Sequence, residues 1–195
     1  MTDSVLRHIH WNDAVARKVY GLDRMRPTIP ESATPRQDTI GEGEGDKSLP
    51  PLEWHVLFGV PVARVSVHKA VQRIVSWSGA VPARTVIATN LDHIMALRAD
   101  APFKRAYRRA GLITAGSRAF VRLSKEQRKP LPERIAATDL VQPLMAGAAI
   151  AGRSVFFFGS HLDVLHDAAR QLKRMFPKLD VRGVYAPPPG FERDP

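Results

Sequence analysis

Three short stretches put side chains able to do chemistry where one structural element hands over to the next. In ATNLDH, Asn90 follows an apolar run and Asp92 stands two residues further on. A carboxamide both donates and accepts hydrogen bonds, so Asn90 either reads a base, ribose or sugar hydroxyl or caps a helix. Asp92 is a carboxylate of the kind that takes a proton from a hydroxyl. In FFFGS, Gly159 and Ser160 close a second apolar run. A helix starting there would turn backbone N–H groups toward a diphosphate, and the alternative is a tight turn with Ser160 as N-cap. Gly116 and Ser117 make the third junction. His93 reads as packed or solvated. His161 and His166 are five apart, which does not place them on one helical face as a metal pair requires, so no metal site is expected.

These junctions matter only if strands feed helices at each of them, and the periodicity says that they do. Val56, Phe58, Val60, Val62 and Val65 suggest paired short strands broken at Gly59-Val60-Pro61, and Val67 to Trp77 carries Ala70, Val71, Ile74 and Val75 on one helical stripe. TVIAT (85–89) reads as a buried strand, with Asn90 and Asp92 as possible caps for a helix from Ile94 to Arg98. A basic helix from Phe103 to Arg109 follows, then a strand GLITA (111–115), then a helix to Leu123 capped by Ser117. Thr138 or Asp139 caps an apolar helix over 140–151. SVFFF (154–158) is a strand, 162–176 a helix with Leu165, Ala169 and Leu172 inward, and 181–185 the last strand. Alternating strands and helices predict a mostly parallel α/β sheet with helices on both faces. Such sheets bind ligands beyond the carboxyl ends of their strands, where all three junctions fall.

Composition narrows the classes. The 195 residues, 44% hydrophobic and 25% charged, suit one domain of ordinary size. There is no cysteine, which excludes a disulfide framework, a thiolate metal site and a thiol nucleophile. No apolar run approaches the roughly 20 residues that span a bilayer, and the first residues lack an export signal, so a cytoplasmic protein is expected. Seven Lys or Arg against eight Asp or Glu leave residues 1–50 at −1, so with a total of +10 the remainder carries +11. Such a surface attracts nucleotide diphosphates, anionic headgroups or nucleic acid. Lys104, Arg105, Arg108 and Arg109, continued by Arg118, Arg122, Lys125, Arg128 and Lys129, come without a recognition-helix signature or an aromatic stacking platform. A solvated basic face is therefore expected first, attraction to a membrane surface second, and no nucleic acid. Residues 26–51, rich in Pro, Gly, Ser, Thr and acids, read as a disordered linker; GEGEGDKS within it fails the P-loop spacing because Asp46 separates Gly45 from Lys47. A short amphipathic segment is expected over 4–20, which divides the chain into a tail and linker over 1–51 and a folded domain over 52–195.

LFGVPV, ATNLDHIMALR, RKPLPERIAATDLV, FFFGS and VYAPPPGFERDP together resemble the WecG/TagA/CpsF glycosyltransferase family over about residues 52–195, with KPLPERIAATDL the most specific block. The resemblance implies a Rossmann-like fold and an inverting, metal-independent transferase without a cofactor. It would move a sugar from a UDP-sugar to a polyprenyl-diphosphate-linked acceptor at the inner face of the plasma membrane, in cell-surface or exopolysaccharide synthesis. Such a reaction needs a carboxylate to take the acceptor's proton, and Arg side chains or helix N-termini to hold charge on the leaving diphosphate. Matched residue by residue, the resemblance assigns substrate binding to Asn90, Asp92, Arg134, Thr138, Asp139, Gly159 and Ser160.

The departures from the family pattern bear on the chemistry. The family's Asp-Gly pair after the fourth strand, whose Asp is the expected base, falls on Gly116 and Ser117, and glycine accepts no proton. The family's Thr before the Asn falls on Ala88, with Thr89 next door pointing to the opposite face; the Gly of its Gly-Thr-Asp block is Ala137. A Gly-x-Pro-x-Gln-Glu strand and a basic tail, which the family carries after the equivalent of GFERDP, are expected to be missing, leaving the sheet incomplete at its C-terminus. The catalytic base is thus unassigned, with Asp92 as its one substitute. The expectation is a family member whose transfer is impaired; the alternative is a non-catalytic protein that binds a UDP-sugar or an anionic surface.

Overall fold

The computed structural model describes residues 49–79 and 82–191. The amphipathic segment expected over 4–20 and nearly all of the expected linker lie outside these residues. The chain forms two compact units, one ending at Leu144 and the other continuing from Met145.

In the first unit, β1 (Trp54–Leu57) and β2 (Val60–Ala63) pair as an antiparallel hairpin with Leu57 opposite Val60. The turn is therefore Phe58-Gly59, one step earlier than the expected Gly59-Val60-Pro61 break. Both residues have positive φ, 52° and 78°, the backbone that a two-residue turn needs to match the twist of its strands. Pro61 is accommodated inside β2, exposed to solvent. Helix α1 (Val67–Ser76) is capped by Ser66, whose hydroxyl accepts from the Lys69 N–H at 3.3 Å, and it buries Ala70, Val71 and Val75.

Strand β3 (Thr85–Thr89) leads into α2 (Leu91–Ala99) and α3 (Ala101–Arg108), and the chain returns as β4 (Ala110–Ala115), parallel to β3. Asp100 divides the two helices. Its N–H closes α2 on the Ala96 carbonyl, while its carboxylate accepts from the Phe103 N–H at 2.8 Å and starts α3, with Pro102 in the first turn. Then comes α4 (Arg118–Glu126). The core collects Leu57, Val60 and Val62 from the hairpin, Ile94 from α2, Tyr107 from α3, Ile113 and Ala115 from β4 and Phe120 from α4. Phe120 is fully buried, with its ring edge-on to Phe58 at 5.0 Å. Truncating such a side chain typically costs about 3–5 kcal/mol.

Helix α5 (Ala137–Ile150) leads into the second unit, where β5 (Ser154–Phe158), α6 (Leu162–Met175) and β6 (Asp180–Tyr185) follow. Strands β5 and β6 are parallel. Val155, Phe157 and Val181 pack on a core of Ala146, Ala148, Leu172, Phe176 and Leu179, while Phe156 and Phe158 alternate outward. The mixed α/β fold with small parallel sheets and helices is the expected class and is consistent with a Rossmann-like arrangement. The described strands are distributed over three two-stranded sheets.

Candidate functional site

Thr89 and Ala115 end β3 and β4 side by side, and the parallel ladder runs one step further, the Gly116 N–H donating to the Thr89 carbonyl at 2.8 Å. Asn90 and Gly116 thus leave adjacent strands at the same edge. Asn90 does cap α2, its Oδ1 accepting from the His93 N–H at 2.9 Å. Asp92 is exposed in the first turn of α2 and is not the cap. Ser117 stands at the N-cap position of α4 with extended backbone, but its hydroxyl makes no capping bond. That hydroxyl is buried and has no partner among the described residues. An unsatisfied buried hydroxyl costs about 1–3 kcal/mol, which marks Ser117 as a group that a ligand or water would complete.

The segment between α4 and α5 is tied to this edge. The Leu131 N–H donates to Ser124 Oγ at 3.0 Å, the Ile135 N–H to the Ala115 carbonyl at 2.8 Å, and the Thr114 hydroxyl to the Ile135 carbonyl at 2.9 Å. Arg134 is thereby held over Gly116, with Nη1 3.4 Å from the Gly116 carbonyl and Nη2 3.0 Å from Asp139 Oδ2. Asp139 Oδ2 also accepts from the Ala136 N–H at 2.8 Å. Because α5 begins at Ala137, Thr138 and Asp139 are its second and third residues and neither is the N-cap. The Asp139 carboxylate reaches back to the preceding backbone N–H, which is one half of a capping box; Ala136 has no side-chain oxygen to supply the other half. Thr138 is exposed. Gly116, Arg134 and Asp139 therefore meet at one strand end.

A side chain has no room at position 116. A Cβ built on Gly116 would lie 2.7 Å from the Thr89 carbonyl oxygen and 3.1 Å from the carbonyl carbon and oxygen of Ala88. All three atoms are main chain, so no rotamer change relieves the contact. The place where a proton acceptor is expected is closed as well as lacking a carboxylate. Asp139, the nearest acid in this constellation, has its oxygens engaged by Arg134 and the Ala136 N–H, a poor state for a base. Arg134 keeps 38% of its side chain exposed, which leaves guanidinium N–H groups available to an anionic oxygen.

Glu133, in the same block, has a role that reading the sequence did not assign. Its Oε1 accepts from the Val67 N–H at 2.8 Å, where it satisfies one of the orphan donors opening α1. The partner is 66 residues away, so no local spacing announces the bond. His93 is packed, with Nδ1 3.0 Å from the Tyr107 hydroxyl and its ring edge-on to Phe103 and Tyr107. Burial pushes the Tyr107 phenol up. Burial pulls the His68 imidazole down, helped by the charge of Lys69.

In the second unit, Gly159 follows β5 with φ 104° and donates its N–H to the Tyr185 carbonyl at 3.0 Å. Ser160 adopts φ 58°, so it belongs to the turn, and the N-cap position of α6 falls on His161, whose side chain makes no capping bond. The expected Ser160 cap is thus displaced by one residue, since an N-cap needs extended backbone and Ser160 is left-handed. Of the basic cluster, Lys104, Arg105, Arg108 and Arg109 lie exposed on or just after α3, and Arg118, Arg122 and Lys125 on α4. Arg122 pairs with Glu126 at 3.0 Å, an exposed contact worth little.

Among known proteins, no curated sequence matches this chain. A family model does: that of the glycosyl transferase WecG/TagA/CpsF family covers residues 55–195.

Proposed function

Since the chain belongs to the glycosyl transferase WecG/TagA/CpsF family, we propose that it holds a UDP-sugar at the carboxyl ends of β3 and β4 and that its transfer step is impaired. The reaction in question is inverting and metal-independent. It places the sugar on a polyprenyl-diphosphate-linked acceptor at the inner face of the plasma membrane, in cell-surface or exopolysaccharide synthesis. Asn90, Ser117 and Thr138 offer hydrogen bonds to the donor, Arg134 offers charge to its diphosphate, and Asp139 holds Arg134 in place. Gly159 and Ser160 are assigned to donor binding by the resemblance alone.

The observation that carries the impairment is the closed position at Gly116, where a Cβ would stand 2.7 Å from the Thr89 oxygen. Removal of the acceptor's proton by a positioned base contributes about 10²–10⁴-fold to a rate, and the loss of that factor leaves binding with little turnover. Asp92 is the remaining carboxylate near Asn90, and its exposure on α2 argues against service as the base. Calorimetric titration with UDP, paired with transfer of radiolabelled sugar by the purified chain, tests the reading. Binding with transfer near background is expected; robust transfer by this chain alone refutes it.

A second reading has its own support in the exposed cations of α3 and α4, which suit an anionic surface. On that reading the protein sediments with anionic vesicles in a salt-sensitive manner and shows no affinity for UDP.

A further inference from the structure

Residues 131–135 cross to the strand-end site without forming a helix or a strand. Main-chain donors fix both ends of the crossing, the Leu131 N–H on Ser124 Oγ and the Ile135 N–H on the Ala115 carbonyl. Pro132, Glu133 and Arg134 stand between, and all three are exposed. Pro132 has no N–H to give. The contacts of Arg134 itself are a long 3.4 Å bond to the Gly116 carbonyl and a pair with Asp139 in which the two side chains are 38% and 31% exposed. Such contacts hold a side chain loosely, since water competes for each of them.

A firmer hold comes from the neighbouring residue. Glu133 Oε1 accepts from the Val67 N–H at 2.8 Å, the first donor of α1. Helix α1 has no acid in its first turn, which reads Val67, His68 and Lys69, and its own cap, Ser66, bonds the Lys69 N–H instead. The Glu133 carboxylate therefore supplies, from 66 residues away, the negative charge that favours a helix amino end. A charged acceptor makes this bond stronger than a neutral one. Its anchor is firm too, because Ala70 and Val71 in the next turn of α1 are fully buried. Glu133 bonds toward α1 and Arg134 toward Gly116 and Asp139, so the peptide between them is held in two directions.

We propose that Glu133 is a positioning residue: by bonding the amino end of α1 it sets where the Arg134 guanidinium stands over Gly116, and thereby the affinity for the donor's diphosphate. The proposal rests on the reading that Arg134 meets that diphosphate. Glu133 itself touches no donor.

The test compares the full chain with Glu133→Ala, Glu133→Gln and Ser66→Ala by calorimetric titration with UDP and by thermal melting. Glu133→Ala should bind UDP roughly three- to fivefold more weakly, the effect of leaving one arginine to be ordered on binding. Glu133→Gln keeps an oxygen that accepts from the Val67 N–H and should stay within about twofold of the parent. Ser66→Ala removes the other cap of α1, so it should lower the melting temperature at least as much as Glu133→Ala and leave UDP binding unchanged. In an Arg134→Ala background, Glu133→Ala should have no further effect on UDP binding. Equal weakening by Ser66→Ala, or full weakening by Glu133→Ala without Arg134, overturns the proposal. Nitrogen-15 relaxation without ligand separates it from the donor reading. Order parameters of the Glu133 and Arg134 amides should fall from about 0.85 toward 0.6 in Glu133→Ala and hold in Ser66→Ala. A parent chain that binds no UDP sinks the donor reading alone, and unchanged order parameters in Glu133→Ala sink the positioning role.

Discussion

Replacing Gly116 by alanine adds a single methyl group where β3 and β4 end. That carbon would sit 2.7 Å from the Thr89 oxygen, well inside normal contact, and 3.1 Å from the Ala88 carbonyl. Relief requires the two strand ends to part by several tenths of an ångström. The parting strains the 2.8 Å bond from the Gly116 N–H to Thr89 and the 2.8 Å bond from the Ile135 N–H to Ala115. Overpacking of this kind costs about 1–3 kcal/mol, and weakening one backbone hydrogen bond adds up to about 1 kcal/mol. A loss of about 2–3 kcal/mol follows, which in a domain of this size lowers the melting temperature by roughly 10 °C. Gly111→Ala provides the contrast, since a Cβ there meets the Trp77 ring edge at 3.3 Å, a side chain that can give way. Its cost should stay below about 1 kcal/mol. Gly116→Asp brings a carboxylate against two carbonyl oxygens, so it should be less stable than the alanine variant and gain no transfer activity. Thermal and urea unfolding followed by circular dichroism measure the first effect, and radiolabelled transfer the second. Should Gly116→Ala unfold within about 0.5 kcal/mol of the parent, or Gly116→Asp fold normally and transfer sugar, the steric argument is wrong.

Asn90→Ala removes a working cap and should cost about 1 kcal/mol, whereas Ser117→Ala deletes a buried, unpartnered hydroxyl and should be neutral or slightly stabilising by urea unfolding. If Ser117 serves the donor, the same variant binds UDP more weakly by calorimetry. Arg134→Ala should change stability by less than about 1 kcal/mol, because the pair with Asp139 is partly exposed, yet weaken UDP binding about tenfold. With the His68 value lowered from 6.5, the unfolded chain takes up the proton first, so stability present above pH 6.5 declines as pH falls below it. With Tyr107 raised from 10.0, stability present below pH 10 declines as pH rises beyond it. His68→Gln and Tyr107→Phe should each flatten the corresponding limb of a stability-against-pH curve.

Local periodicity carried most of the elements. TVIAT and SVFFF form strands with the expected bounds, and Asn90 does cap the helix after TVIAT, because a short apolar run bounded by a polar residue encodes both features nearby. Errors arose where one backbone angle decides. Phe58 occupies the left-handed region despite its Cβ, which moves the hairpin turn back by a residue, and Ser160 does the same and yields the N-cap position to His161. Asp139 looked like a cap from its type, and it satisfies an N–H from inside the helix instead. The closure around Gly116 depends on how near β3 lies to β4, and the anchoring of Glu133 on α1 spans 66 residues; neither distance is written in a single stretch of chain.

The moorings of residues 131–136 have a thermodynamic corollary for Arg134. An arginine on a free loop must surrender backbone and rotamer freedom when it meets an anion, and that surrender subtracts from affinity. Here the neighbouring backbone is fastened to Ala115 and Ser124, and the guanidinium is already steadied by Asp139. Folding has absorbed most of the ordering cost, so the fork is preorganised and an arriving diphosphate encounters it close to its final pose.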